Sequence, residues 1–397
     1  MTAIYLDHNA TTPIRPEVVE AMGRVWAKEH ANPASQHRPG QQARWVLEHA
    51  RARVAELLGA EAHGSDADRV VFTSGGTEAN HLAVLGIARA AGATSLGESD
   101  QPPRLVISPI EHACIVGAAE RLLDEGWRVD SLPVSADGVV DAAKLPGLLA
   151  PETRLVSTML ANHETGVIQP VAELAETCRA AGVRFHSDAV QAAGKMPIDF
   201  RRLGVDALSI SAHKFQGPVG IGALVLQADV AVEPQMPGGH QQEGLRGGTE
   251  SIALAVGMMT ALELCVAEQE ETGRRLSALR ERFETTLRAA LPEVVIHGRL
   301  AARLCQTSNV AFPGVDGQVL FTAVDTLGVA CSIGAACDSG AAEVSPTLRA
   351  MGVSRELLTG SLRFSFGHAT TEAMIDDAVQ RIVGAVRRLA GIARRDE

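Results

Sequence analysis

Lys214 stands near the centre of Ser209-Ile-Ser-Ala-His-Lys-Phe-Gln-Gly-Pro218, and its surroundings suit covalent chemistry. An apolar run, Asp206 to Ile210, leads into this stretch and a second, Ile221 to Leu226, follows it, with Gly217, Pro218, Gly220 and Gly222 between them. That pattern predicts strand, loop, strand, with one lysine delivered at a strand end beside a histidine and two serines. Most lysines are solvated surface charges. An amine held at a strand end can instead form a Schiff base with a carbonyl cofactor. The other polar clusters decide between these readings.

Thr73-Ser-Gly-Gly-Thr-Glu-Ala-Asn80 follows a predicted strand and opens a helix. Gly75 and Gly76 bare backbone N–H groups and Thr77 adds a hydroxyl, which favours a phosphate at the helix N-terminus. Taken alone, a glycine turn with a threonine cap is the commoner meaning. Asp188, in His186-Ser-Asp-Ala-Val-Gln191, closes another strand. Its carboxylate could hold the protonated nitrogen of a pyridine ring, which such a cofactor needs as an electron sink. It could equally cap the next helix, and Gln191 could donate to a ring oxygen. His112, in Ile110-Glu-His-Ala-Cys114, follows a third strand. An imidazole there either stacks on a flat cofactor and moves protons or is a satisfied, partly buried histidine.

Asn162-His-Glu-Thr-Gly166 and Arg246-Gly-Gly-Thr249 are two further polar loops. Ligands of open α/β sheets bind outside the carboxyl ends of the strands, and several of these clusters fall at such ends. A phosphate cradle, a stacking ring, a pyridinium partner and a Schiff-base lysine together describe pyridoxal 5'-phosphate.

Two later features could serve a substrate. Ser332-Ile-Gly-Ala-Ala-Cys337-Asp-Ser-Gly-Ala-Ala-Glu-Val-Ser-Pro346 is a small-residue loop containing a thiol. Small residues leave the sulfur of Cys337 exposed, although a buried cysteine in a tight turn is the commoner case. Arg363, in Ser361-Leu-Arg-Phe-Ser-Phe-Gly367, is a charge inside an apolar strand. It needs an anion, supplied by a substrate carboxylate through a bidentate contact or by a structural salt bridge.

These residues need elements to hold them. Residues 1–15 read as a turn-rich polar segment. Pro16 opens an amphipathic helix from Glu17 to about His30, and Asn32 to Gly40 is a loop. A long helix over about Gln41–Leu58 carries Ala43, Val46, Leu47, Ala50, Val54 and Leu57 at helical spacing. From Arg69 the chain alternates: strand Val70–Thr73 and a helix from Thr77, then strand Leu105–Ser108 and a helix from about His112. Strands Trp127–Leu132, Leu155–Leu160, Arg184–Ser187, Ala207–Ser211 and Ile221–Leu226 follow, with helices such as Val171–Ala181 among them. That alternation predicts an α/β domain with a mostly parallel sheet flanked by helices. Residues 93–103 read as a surface loop. A helical stretch from Thr249 to about Leu291, with room for a bend, passes from apolar to heavily charged and bridges the domains. Strands Val294–His297, Ser308–Phe312, Val329–Ile333 and Leu362–Phe366, with helices Gly317–Leu327 and from Thr371, predict a smaller α+β domain. The expected division is a large domain over 15–260 and a small one over 1–14 and 261–397, carrying the cysteine loop.

At 397 residues the chain is too long for one ordinary core, and 46% hydrophobic with 21% charged residues is ordinary globular composition. Only 3% is aromatic, so aliphatic side chains and alanine must fill the core. A net charge of -11 argues against a nucleic-acid surface. No apolar run is long enough to span a bilayer, and Met1 to Asp7 lacks the regions of a signal peptide, so a cytoplasmic protein is expected. The six cysteines are scattered without a C-x-x-C pair, which predicts free thiols, five of them small core residues and Cys337 the exception.

Taken together, Tyr5–Pro13, Asn32–His37, Ser74–Asn80, Glu111-His112, His186–Gln191, Ala212–Gly217, Arg246–Thr249, Gly334–Ser339 and Ser361–Gly367 resemble the cysteine desulfurases, within the fold-type I pyridoxal-phosphate enzymes. The loop around Cys337 resembles the branch with a long cysteine loop. The resemblance implies that Lys214 carries the cofactor and later moves protons. His112 would stack on the ring, Asp188 would pair with its nitrogen and Gln191 would contact the ring oxygen. Gly76, Thr77, Ser211 and His213 would hold the phosphate, with Thr249 contributed by the second subunit of a homodimer. Arg363 would take the carboxylate of L-cysteine. Cys337 would attack the substrate sulfur, keep it as a persulfide and release alanine. A scaffold or sulfur-carrier protein would then accept the sulfur, for iron–sulfur assembly or thio-modification.

Three positions depart from the family's pattern. The family often has two asparagines at Asn162-His163, one of which faces cofactor and substrate. Asp338 follows the thiol, where a carboxylate tends to raise its pKa. His368 stands where arginine is common. Three other functions compete: a selenocysteine lyase, which shares the Gly-Ala-Ala-Cys run; a different pyridoxal-phosphate reaction such as transamination; and a cofactor-free scaffold for sulfur-transfer partners, against which Lys214 and Asp188 both argue.

Overall fold

A computed structural model of the chain describes residues 3–28, 31–94, 101–334 and 344–393. Cys337 and Asp338 lie outside the described residues. The strands are β1 (Ile4–Tyr5), β2 (Arg69–Thr73), β3 (Arg104–Ile107), β4 (Arg128–Ser131), β5 (Thr153–Ser157), β6 (Arg184–Asp188), β7 (Ala207–Ser211), β8 (Gly222–Leu226), β9 (Val295–Ile296), β10 (Thr307–Ala311), β11 (Val329–Ala330) and β12 (Ser361–Ser365).

The main sheet has the order β2-β8-β7-β6-β5-β3-β4. Strand β8 runs antiparallel to both its neighbours, and every other pair is parallel. All side chains of β7 and β8 are buried, as befits strands covered on both faces. One face packs on helices Pro16–Lys28, Arg38–Leu57 and Ile252–Ala267, and the other on Ala113–Asp124 and the helical run that starts at Gly76. This is the mostly parallel, helix-flanked sheet expected from the alternating pattern.

A third apolar cluster joins Leu276, Phe283 and Leu287 to Val310, Phe364, Ile375 and Ile382. It contains an antiparallel sheet, β12-β10-β9. Ile4 and Leu6 belong to this cluster, because β1 pairs with β11 and Leu6 donates to the Ala330 carbonyl. The N-terminal stretch is therefore a strand and an anchor as well as a polar turn. Its two-residue strand is too short to show as periodicity.

Other boundaries move for local reasons. The helical stretch from Thr249 resolves into Ile252–Ala267 and Gln269–Ala290, bent by 72°. Arg15 forks onto Glu268 at the break, at 2.7 and 3.0 Å. No single helix among the described residues is long and apolar enough to cross a membrane. Strand β5 ends at Ser157 rather than Leu160, yet Thr158 and Leu160 still donate to the His186 and Asp188 carbonyls, so the chain keeps its course beside β6. The helix after β2 runs from Gly76 to His81, widens to a π-turn over Leu82–Ile87 and resumes over Ala88–Thr94. Within that wide turn the Gly86 carbonyl accepts from Glu233 N–H at 2.9 Å. Of the surface loop expected over 93–103, Ala93 and Thr94 instead end this helix, and residues 95–100 lie outside the described part.

Candidate active site

The carboxyl ends of β2, β3, β5, β6 and β7 open onto one cavity of about 150 Å³. Gly76 and Thr77 reach it from β2, His112 from β3, His163 from the loop after β5, Asp188 and Gln191 from β6, and Ser211, His213 and Lys214 from β7. The parallel order of these strands brings together side chains up to 138 residues apart, Gly76 to Lys214.

Lys214 ends a single 3-10 turn, Ala212–Lys214, that closes β7. Its Nζ donates to the carbonyls of Asn9 (2.7 Å) and Ala10 (2.8 Å). Gln191 Nε2 donates to the same Asn9 carbonyl at 2.9 Å. Thr12 fixes the turn from outside, its hydroxyl donating to the His213 carbonyl and accepting from Gln216 N–H, each at 2.7 Å. Gln216 adopts a φ of 64°, a conformation rare for a side-chain-bearing residue. The lysine turn is thus held by the N-terminal segment, which sequence reasoning recognised as a motif without seeing Asn9 in the site.

Asp188 is buried. Its Oδ1 accepts from Val190 N–H at 2.8 Å and its Oδ2 from Asn80 Nδ2 at 2.7 Å. The residues after it form turns, so its backbone contact is a local Asx turn and not a helix cap. Burial pushes its carboxyl above the usual range, while the Val190 N–H and the His112 charge pull the other way. A positive charge on the ligand side would restore the ionised form. Asn80 was not expected in the site. It is the last residue of the glycine motif, and one turn of helix aims it at Asp188.

His112 caps helix Ala113–Asp124, its Nδ1 accepting Cys114 N–H at 3.2 Å. In the neutral ring that bond leaves the proton on Nε2, and in the charged ring the bond is lost. Glu111 Oε1 accepts from Met159 N–H at 2.9 Å and from Ser108 Oγ, tying the end of β3 to the chain after β5. Burial raises the Glu111 carboxyl to about 8, so it is protonated at neutral pH. The His163 ring meets His112 edge-on, with centroids 5.3 Å apart. Burial drives the His163 pKa well below its usual value, helped by the charges of His112, Arg363 and Lys214, and its Nδ1 is buried with no partner among the described residues.

The glycine turn forms the cradle expected of it. A Cβ on Gly76 would lie 2.8 Å from Val190 Cγ2 and 3.3 Å from Ser211 Cβ, so only glycine lets this helix start come so close to β7. Ser211 is buried and its hydroxyl has no partner among the described residues. Burial, then the charges of Lys214 and Lys195, lower His213 to about 4.

Four expectations need correction or refinement. Asn162 does not line the cavity: its Oδ1 accepts from Glu164 N–H, Thr165 N–H and the Thr165 hydroxyl, and its Nδ2 donates to the Ile110 carbonyl. It shapes the loop that presents His163. Arg363 is buried in an ion pair, Nη2 to Asp7 Oδ1 at 2.9 Å, with Nη1 on the His163 carbonyl at 3.1 Å. The structural salt bridge is therefore real, while the buried Nε of Arg363 has no partner among the described residues. Thr249 lines a separate hollow of about 130 Å³ with Ser74 and Arg246. Arg246 forks onto Glu78 (2.8 and 3.3 Å), which accepts Ser74 N–H, so that loop braces the glycine turn. Cys114 is not a plain core residue. It lines the cavity, 3.2 Å from Asn80 Nδ2, and burial raises its thiol to about 12. Cys178, Cys265 and Cys331 are buried, as predicted, and Cys305 is partly buried.

The model of the family described as Aminotransferase class-V matches residues 4–377. The chain is similar to a protein named IscS-like cysteine desulfurase of Mycobacterium tuberculosis, 41% identical over 97% of this chain and 96% of that one. It is similar also to one named Cysteine desulfurase 2 of Trichormus variabilis, 37% identical over 99% and 95%. A solved structure titled NIFS-LIKE PROTEIN superposes with a TM-score of 0.88 at 31% identity, covering 98% of this chain and 100% of that one. The strand-end cavity, the lysine turn and these matches lead to one conclusion: the chain belongs to the class-V aminotransferase family, and within it to the cysteine desulfurases.

Proposed function

We propose that this protein removes sulfur from L-cysteine with pyridoxal 5'-phosphate as cofactor, giving L-alanine and a persulfide on Cys337. One observation carries the cofactor assignment: Lys214 shares a cavity with the Ser211 hydroxyl, which has no partner among the described residues, and with the buried Asp188 carboxyl. The residues present fit the group. Gly76, Thr77, Ser211 and His213 offer donors and a close helix N-terminus to a phosphate. Asp188, kept in place by Asn80, suits a protonated ring nitrogen, and Gln191 has a second N–H for a ring oxygen.

When bound, the cofactor supplies an electron sink for charge that develops on the substrate. The protein does the rest. Lys214 anchors the cofactor and its Nζ takes and returns protons at the substrate carbon. His112, with its proton on Nε2, covers the ring and shields it from water. Arg363 receives the substrate carboxylate, sharing its guanidinium with Asp7 or exchanging that partner. The Cys337 thiolate takes the substrate sulfur as a new S–S bond. The electron pair of the broken C–S bond passes to the substrate carbon, where protonation gives alanine.

The assignment of Cys337 rests on its small-residue loop and on the family resemblance. The same reading includes a large domain over 15–260 and a small one over 1–14 and 261–397, and a homodimer in which the partner's copy of the Arg246–Thr249 loop completes the phosphate site. It includes also a cytoplasmic location and a sulfur-acceptor protein serving iron–sulfur assembly or thio-modification.

The test is turnover of L-cysteine and L-selenocysteine by the purified protein, with alanine and released chalcogen both measured. The proposal expects alanine from cysteine in equal amount to sulfide under reductant, and little of either from Cys337→Ser. Activity on selenocysteine alone would make the protein a selenocysteine lyase. Undiminished turnover of cysteine by Cys337→Ser would point to a different reaction.

A further inference from the structure

Behind the lysine turn lies a second cavity of about 320 Å³, walled by both Lys214 and Lys195. Gly194, at a φ of 73°, precedes Lys195, and a Cβ there would lie 2.7 Å from Phe215 Cβ, so the chain can press its Lys195 against the Lys214 turn only with glycine at this point. Lys195 Nζ donates to Gln191 Oε1 at 2.8 Å. On the other side of that amide, Gln191 Nε2 and Lys214 Nζ donate to one carbonyl, that of Asn9.

A glutamine amide has an oxygen end and a nitrogen end of nearly equal shape, and only its partners decide which end faces which way. The ammonium of Lys195 can only donate, so it accepts the oxygen end alone. The nitrogen end must then face Asn9 and the cofactor cavity. Without Lys195, a rotated amide could take a hydrogen from Lys214 Nζ and turn its oxygen toward the cavity.

We propose that Lys195 is a positioning residue for the cofactor. It fixes the polarity of Gln191, so that an N–H and not an oxygen meets the ring oxygen. This rests on the pyridoxal-phosphate reading above. The groups facing Lys195 leave it as a donor without a carboxylate: Lys214 and Arg363 are cationic, Cys265 and Cys305 are thiols raised by burial, and His8 and His213 are held neutral by burial. Burial lowers Lys195 itself to about 7. The neutral amine can still donate to the same oxygen but also carries a lone pair that can accept, so the constraint is strictest below about pH 7.

The experiment titrates the visible absorption of the holoprotein with pH. A donor to the ring oxygen eases loss of the proton shared between that oxygen and the Lys214 nitrogen. Losing the donor should therefore move the midpoint up. Lys195→Met and Gln191→Met are each expected to raise it by about one unit, the value of one hydrogen bond. The double variant should move it no further, and Lys195→Arg, which also only donates, should restore most of the wild-type midpoint. Lys195→Ala serves if the methionine variant does not fold. An unchanged midpoint in Lys195→Met beside a shifted Gln191→Met, or shifts that add in the double variant, would overturn the proposal alone. A wild-type protein without any visible band would instead overturn the cofactor reading and this proposal with it.

Discussion

Two walls meet at Lys214, which lines the cavity with one and donates to Asn9 of the other, and they spend their polar groups differently. The strand-end wall of Gly76, Asp188 and Ser211 keeps capacity in hand: Ser211 Oγ has no partner among the described residues, and the glycine lets the helix start approach it closely. The second wall, made by Asp7, Asn9, Asn162 and Arg363, is a supporting layer that does not itself line the cavity, and it is largely committed to itself. The Asn162 side chain is taken up by Glu164, Thr165, Met159 and the Ile110 carbonyl, and Arg363 already holds Asp7 and the His163 carbonyl. The first wall is shaped to receive a ligand, and the second locks the N-terminal segment and β12 in place. A substrate carboxylate must compete for the second wall, while the cofactor meets groups that were waiting for it.

The comparison predicts that changes in the first wall remove activity and leave stability, whereas changes in the second do both. Lys214→Ala should lower turnover by on the order of 10⁴ or more, as loss of an anchoring nucleophile does, with a thermal midpoint close to wild type when both proteins are stripped of cofactor. A large loss of apo stability would break the distinction. On the second wall, Arg363→Lys should raise KM for cysteine about 10- to 100-fold, because an ammonium cannot hold Asp7, the His163 carbonyl and a carboxylate with the same fork. A KM near wild type would leave Arg363 with the structural bridge alone. Asn162→Ala should cost about 2–3 kcal/mol of stability by leaving the Glu164 and Thr165 amides without their acceptor, read as a lower midpoint in urea. Cofactor content of the folded fraction should stay near wild type.

The smallest effect concerns pH. Glu111 has its folded pKa raised from 4.5 to about 8. Between those values the folded protein keeps a proton that the unfolded chain has released. Its contribution to stability is therefore full below about pH 4.5 and falls as pH rises toward 8. The buried His8 and His213, lowered to about 4, act in the opposite sense from there up to 6.5. Glu111→Gln should thus lose less stability than wild type between pH 6.5 and 8 in thermal melts. Equal slopes would mean that Glu111 is not protonated in the folded state.

The first wall was largely legible in the sequence, and the second was not. Gly76, Asp188 and Lys214 each sit in a short motif at a predicted strand end, and the rule for open sheets brings such ends together. Asn80 and Cys114 belonged to quoted motifs, but only the helix phase shows that they face the cavity. The second wall depends on contacts across the chain. Arg363 meets Asp7, 356 residues away, through a two-residue strand that has no periodicity to read. Asn162 was expected as a ligand group from the family resemblance alone, since its polar loop by itself reads as a turn. Its burial among backbone amides is a tertiary fact. The bend at Glu268 follows from a change from apolar to charged composition that the sequence displays, while its angle is set by packing.

The central claim joins the two walls to a thiol: Lys214 holds the cofactor and Cys337 takes the sulfur. Peptide mass spectrometry after incubation with L-cysteine, with one portion treated with borohydride, tests both ends at once. The account predicts one added sulfur on the peptide containing Cys337 and a reduced cofactor adduct on Lys214. An added sulfur on Cys114, or an adduct on Lys195 in place of Lys214, would contradict it.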